Sequence, residues 1–121
     1  MEKKHRILVI DDHVELVKIT REMLEDEGFE VAIANDGTQG IATAREFQPD
    51  IILCDLNLPG EINGYGVAQA LREDLSISAF LAALTAHAGE EYEQKARDAG
   101  FDRMFTKPLD IDDFTTFVKN Q

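Results

Sequence analysis

The sequence predicts an α/β domain, a doubly wound five-stranded parallel sheet with helices on both faces. Three observations carry that prediction. Five apolar runs alternate along the chain with stretches of helical period, the pattern of repeated βαβ crossovers. The runs Ile7-Leu8-Val9-Ile10 and Ile51-Ile52-Leu53-Cys54 are apolar at every position, as strands buried on both faces require. Glycine or proline punctuates the ends of the helical stretches.

The elements follow in order. After the strand Ile7–Ile10, a helix is expected over Val14–Glu27, with Leu16, Val17, Thr20, Met23 and Leu24 on one face and Gly28 as its stop. Phe29–Ala34 alternates and reads as an edge strand. A second helix, Thr38–Phe47, ends before Gln48-Pro49 because the residue preceding a proline resists helix. The strand Ile51–Cys54 leads through a loop with Gly60, Gly64 and Gly66 to a helix over Val67–Glu73. Phe80–Leu84 is the fourth strand. The fourth helix, Glu90–Ala99, ends at Gly100 and offers only Tyr92, Ala96 and Ala99 as apolar residues, so little burial holds it to the sheet. Arg103–Thr106 is short and amphipathic, the second edge. The last helix carries Ile111, Phe114, Phe117 and Val118 on one side, with Asp110 as its cap. For five such strands the common solution is the flavodoxin-like order 2-1-3-4-5, whose ligand site lies outside the carboxyl ends of the strands.

Composition narrows the function. The chain of 121 residues is expected to form one domain over 1–121, with no output domain inside it. Its net charge of −12 argues against a nucleic-acid partner, whose backbone is held by clustered Lys and Arg; the one basic cluster, Lys3-Lys4-His5-Arg6, is short. Cys54 is the only cysteine, which rules out an internal disulfide and agrees with a cytoplasmic setting. The longest apolar run, Ala79–Leu84, falls far short of the ~20 residues of a membrane span.

The strand ends carry the chemistry. Asp11 and Asp12 follow the first strand, Asp55 the third, Thr85 the fourth, and Lys107 and Pro108 the fifth. In the expected topology they converge on one rim. Carboxylates so close resist joint ionisation. A hard divalent cation relieves the repulsion, and Mg²⁺ suits carboxylates, a backbone carbonyl, waters and a phosphate oxygen. A carboxylate is also a nucleophile that forms an aspartyl phosphate, a transfer that needs mainly positioning and neutralised oxygens. Singly, each residue has an ordinary reading: Asp12, with Glu15 three residues on, as a helix cap; Asp55 as a turn residue; Thr85 as a strand-end threonine; Lys107 as a solvated lysine. Cys54 reads as a packed hydrophobe, and His5 and His13 as exposed residues without metal-site spacing. The joint placement at four strand ends is the specific signal.

The stretches Ile7-Leu8-Val9-Ile10-Asp11-Asp12-His13, Pro49 to Gly60, Leu84-Thr85-Ala86 and Phe105-Thr106-Lys107-Pro108 resemble the receiver domain of two-component response regulators, chemotaxis-regulator-like, over essentially the whole chain. The resemblance implies that Asp55 accepts a phosphoryl group from the phosphohistidine of a histidine kinase or a histidine phosphotransfer protein. It implies Mg²⁺ on Asp11, Asp12, Asp55 and the carbonyl of Asn57. Thr85 would bond the phosphoryl group, Lys107 would pair with its oxygens, and Phe105 would be the switch aromatic that turns inward when Thr85 moves. Lys107-Pro108 matches a cis peptide. Asn57 and His87 would flank the path of the water that hydrolyses the phosphoaspartate. A downstream protein would read the face formed by the fourth helix, fifth strand and fifth helix. The Pro59–Gly64 loop is one residue longer than the family's usual spacing. Two other readings are weaker. An aspartate-based phosphatase carries a second aspartate two residues after its nucleophile, where this chain has Asn57. A flavin module would need bare amides after the first strand, where Asp11, Asp12 and Glu15 repel phosphate.

Overall fold

A computed structural model describes residues 5–86 and 89–120. Five strands and five helices alternate: β1 Arg6–Ile10, α1 Val14–Asp26, β2 Glu30–Ala34, α2 Gly37–Phe47, β3 Ile51–Asp55, α3 Gly64–Glu73, β4 Phe80–Thr85, α4 Glu90–Ala99, β5 Arg103–Thr106 and α5 Ile111–Lys119. All neighbouring strands pair in parallel, in the order β2-β1-β3-β4-β5, as the sequence predicts. β2 and β5 are the edges, and their burial alternates or is partial, whereas every residue of β3 is buried. No helix among the described residues is long and apolar enough to cross a membrane.

The sheet divides the core in two because alternate strand residues point to opposite faces. Leu8, Ile10, Ile52, Cys54, Leu81 and Ala83 pack under α2, α3 and α4, through Ala44, Val67, Leu71, Ala96 and Ala99. Ile7, Val9, Leu53, Ala82, Leu84 and Phe105 pack under α1 and α5, through Val17, Leu24, Phe114 and Val118. α4 buries only two methyl groups, Ala96 and Ala99, as its sequence foretells, and Gly89 begins it without a side-chain cap. Cys54 is a packed hydrophobe, and burial raises its thiol pKa far above the ordinary range.

Local departures from the sequence reading have local causes. α3 starts at Gly64, three residues early, because the Asn63 side chain accepts the Gly66 amide at 3.0 Å and caps it. α1 is preceded by His13, with no side-chain cap, so Asp12 is not the capping residue its spacing with Glu15 implied. Of the expected face of α1, Val17 and Leu24 are buried, but Leu16 and Met23 stay 46% and 44% exposed. These two border a groove of about 180 Å³ against Pro108, Leu109 and Ile111, which α5 leaves open. His5 is half-buried rather than exposed, its ring centroid 6.4 Å from that of Phe29 in an edge-on arrangement. The expected stop at Gly28 holds, with φ +96°, as does the Asp110 cap, whose carboxylate accepts the Asp113 amide at 3.0 Å.

The loop after β3 is built on a close backbone approach. The Gly64 amide donates to the Leu56 carbonyl at 3.1 Å. A Cβ on Gly64 would lie 2.3 Å from the Asp55 carbonyl oxygen and 2.6 Å from the Leu56 Cα, both backbone atoms that cannot rotate away. Gly64→Ala is expected to cost about 1–3 kcal/mol, as overpacking does. Urea unfolding followed by circular dichroism checks it; an unchanged midpoint would show slack in the loop.

Candidate functional site

The strand ends meet as the topology requires. Asp11, Asp55 and Thr85 are 3%, 3% and 1% exposed, three of the four buried polar residues among those described. β1 leads directly to Asp11, whose amide donates to the Ala34 carbonyl at 3.0 Å; β3 and β4 end on Asp55 and Thr85 themselves. The Lys107 amide donates to the Thr85 carbonyl at 2.7 Å, so the β5 end is tied to the β4 end. The Lys107–Pro108 peptide is cis, matching the expectation.

Lys107 bridges two acids. Its Nζ lies 3.0 Å from Asp55 Oδ2 and 3.2 Å from Asp11 Oδ2. The other Asp55 oxygen accepts the Asn57 amide at 3.0 Å, so both oxygens are held. Burial works against charge on Asp11, but the amide and ring of His13 and the Lys107 ammonium outweigh it and hold the carboxyl below the usual range. Burial also opposes the charge of Lys107, and the hydrogen bond to Asp55 with the charge of Asp11 wins, raising its pKa. Asp11, Asp12 and Asp55 against one ammonium leave two negative charges uncompensated.

These atoms fit a divalent cation. One donor atom each from Asp11, Asp12, His13 and Asp55 lie within 4.8 Å of one another. Asp12 Oδ1 is buried and accepts no hydrogen bond, the state of a ligand atom awaiting a cation.

Two residues that the sequence reading passed over belong here. Asn35, in the turn after β2, donates its side-chain amide to the Asp11 carbonyl at 3.2 Å and fixes that backbone. His13 is exposed as expected, yet its Nδ1 is 2.8 Å from Asp11 Oδ1 and 3.5 Å from Asp12 Oδ1, so the judgement that it lacks metal-site spacing is corrected. Adjacency to Asp12 in the chain was the available signal for His13; Asn35 left none. His87 lies outside the described residues.

The structure also corrects the placing of Phe105. Leu84 pairs with Phe105 and both face α5; Ala83 pairs with Met104 and both face α4. Alternation puts Thr85 on the Ala83 face, opposite to Phe105. Phe105 is already buried, with its ring centroid 5.3 Å from that of Phe114 and 5.6 Å from that of Phe117. It has no inward turn left to make. On the side of Thr85, β5 presents Met104 and the exposed Thr106; half-buried Met104 lines a cavity of about 270 Å³ with Ala96, Arg97 and Phe101 beneath α4.

Comparison with known proteins agrees with this geometry. The response regulator receiver domain family matches residues 7–119. The DNA-binding response regulator MtrA of Mycobacterium tuberculosis is 37% identical over 106 residues, covering 88% of this chain and 45% of MtrA. The chain thus spans about half the length of these relatives. Among solved structures, the chemotaxis protein CheY4 of Vibrio cholerae superposes with a TM-score of 0.89 at 24% identity, over 98% of both chains. The receiver domain of the sensor histidine kinase PA1611 of Pseudomonas aeruginosa, solved with a magnesium ion in its active site cleft, superposes with a TM-score of 0.86 at 24% identity, over 98% of this chain and 97% of that one. This chain belongs to the receiver domain family of two-component response regulators, the phosphorylation-controlled switches of signalling.

Proposed function

We propose that Asp55 takes a phosphoryl group from the phosphohistidine of a histidine kinase or histidine phosphotransfer protein, in a cleft that holds Mg²⁺. The observation that carries this reading is the pair of oxygens on buried Asp55, one held by the Asn57 amide and the other by Lys107. The ion would sit on Asp11, Asp12, Asp55 and the carbonyl of Asn57. Mg²⁺, when bound, neutralises charge on the transferring phosphoryl oxygens. An Asp55 oxygen forms the new P–O bond as the P–N bond to the donor imidazole breaks and its electron pair returns to the ring. Lys107 then pairs with a phosphoryl oxygen. Residues 1–121 act as one receiver module, and the switch runs from Thr85 to Met104 and α4 on one face of the sheet. α4, held by two alanines, is the element free to move, so a downstream protein reads the face of α4, β5 and α5.

Acetyl phosphate with Mg²⁺ is expected to give a phospho-adduct by intact-mass spectrometry, and EDTA to prevent it. Mg²⁺ at about 100 times its dissociation constant should stabilise the fold by about 2.7 kcal/mol through mass action. An unmoved melting temperature together with labelling indifferent to EDTA would refute the reading.

The lifetime of the signal falls to exposed Asn57, beside Asp55, whose side-chain amide can orient a water. Asn57→Ala is expected to slow decay of the phosphorylated protein several-fold after donor removal, while labelling proceeds at the wild-type rate. Equal decay of both proteins would make Asn57 a bystander. His87 joins this proposal from the sequence alone.

A further inference from the structure

We propose that His13 is a nitrogen ligand of the cation cleft and tunes it away from Mg²⁺ toward first-row divalent metals such as Mn²⁺ and Zn²⁺. This rests on the reading of the cleft as a cation site.

Four observations point to it. The His13 Nδ1 faces the acids, 2.8 Å from Asp11 Oδ1 and 3.5 Å from Asp12 Oδ1. It shares with one oxygen each of Asp11, Asp12 and Asp55 a cluster no wider than 4.8 Å. Asp12 Oδ1 in that cluster is buried and accepts no hydrogen bond. His13 makes no capping bond for α1 although it stands at the capping position, and its side chain is 59% exposed. Among the described residues, the acids of the cleft orient the ring.

Ligand chemistry gives the consequence. A set of oxygens alone suits Mg²⁺, which takes carboxylates and keeps its waters. An imidazole adds a donor that Mg²⁺ gains little from, whereas affinity for such a site climbs from Mn²⁺ to Cu²⁺ and falls back at Zn²⁺. A carboxylate set with one imidazole therefore discriminates among cations according to residue 13. In the ion-free cleft the Nδ1–H of the same ring donates to Asp11; when the ion binds, that proton leaves to solvent and the freed lone pair of Nδ1 takes the ion.

The test uses Mn²⁺ as the probe on the full chain. Electron spin-echo envelope modulation reads nitrogen-14 bound directly to Mn²⁺. Wild-type protein is expected to show imidazole nitrogen coupling, His13→Gln to lose it, and His87→Gln to keep it. By calorimetry, His13→Gln should bind Mn²⁺ and Zn²⁺ about tenfold more weakly, with Mg²⁺ affinity about unchanged. Mn²⁺ bound without nitrogen coupling, coupling that survives in His13→Gln, or equal losses for Mn²⁺ and Mg²⁺ would each overturn the role of His13 and leave the cleft as a cation site. Failure of Mn²⁺ and Mg²⁺ to bind wild-type protein at all would overturn that reading and this proposal together.

Discussion

Asp55→Asn is expected to abolish phosphorylation by acetyl phosphate and leave the fold intact. Asparagine has the shape of aspartate, so its oxygen still accepts the Asn57 amide at the end of β3, and although the bond from Lys107 to residue 55 is lost, Lys107 keeps its pairing with Asp11. What is lost is the nucleophile, because an amide oxygen does not carry the negative charge that attacks phosphorus. Intact-mass spectrometry after incubation with donor and Mg²⁺ reads the adduct, and circular dichroism reads the fold. A full adduct on the mutant would mean that another carboxylate, Asp11 or Asp12, is the acceptor.

Lys107→Ala is expected to destabilise the protein by about 3–5 kcal/mol, the usual cost of removing one partner of a buried ion pair. The Nζ lies between Asp55 and Asp11, whose side chains are 3% and 4% exposed, so its loss strands two carboxylates out of water. The pH dependence has a definite sign. The native pKa of Asp11 is depressed, partly by Lys107, so its stabilising contribution is present above the unfolded carboxylate pKa and fades as pH falls through the native value. Without Lys107 that depression shrinks. The gap between mutant and wild type should therefore be widest near neutral pH and narrow in acid, as the stranded Asp11 protonates. Chemical denaturation at about pH 7 and about pH 3 measures both, bracketing the usual aspartate pKa of about 3.9. An undiminished gap in acid would show that Lys107 contributes by packing its methylenes rather than by charge.

Particular residues show where the sequence was legible and where it was not. Asp55 and Thr85 could be singled out because each ends a run of apolar residues, and in a parallel sheet the ends of such runs share one rim. The Gly28 stop and the Asp110 cap were legible because turns and caps are settled by a few neighbouring residues. The onset of α3 was not, since Gly64 and Gly66 argue against helix, whereas the Asn63 cap starts it there and the close approach of Gly64 to the backbone of Asp55 and Leu56 requires a glycine. The outer flank of α1 misled for a related reason. Periodicity marks an apolar face, and how much of it is covered depends on α5, which reaches Val17 and Leu24 but not Leu16 or Met23.

The sequence by itself determined the class of fold, the strand order and the acidic rim with its lysine, because hydrophobic period and the right-handed βαβ crossover leave few alternatives. Tertiary structure decided which residues share a side. Register and pleat set Phe105 beneath α5 and Met104 beside α4, although the two are neighbours in the chain. Packing likewise turned the ring of His13 onto Asp11 and brought the amide of Asn35 to the Asp11 carbonyl. The Asn35 contact joins a side chain to backbone from another element, so it is set by where whole elements lie and no local pattern encodes it; the His13 contact spans neighbouring residues, and only the direction of the ring was left to packing.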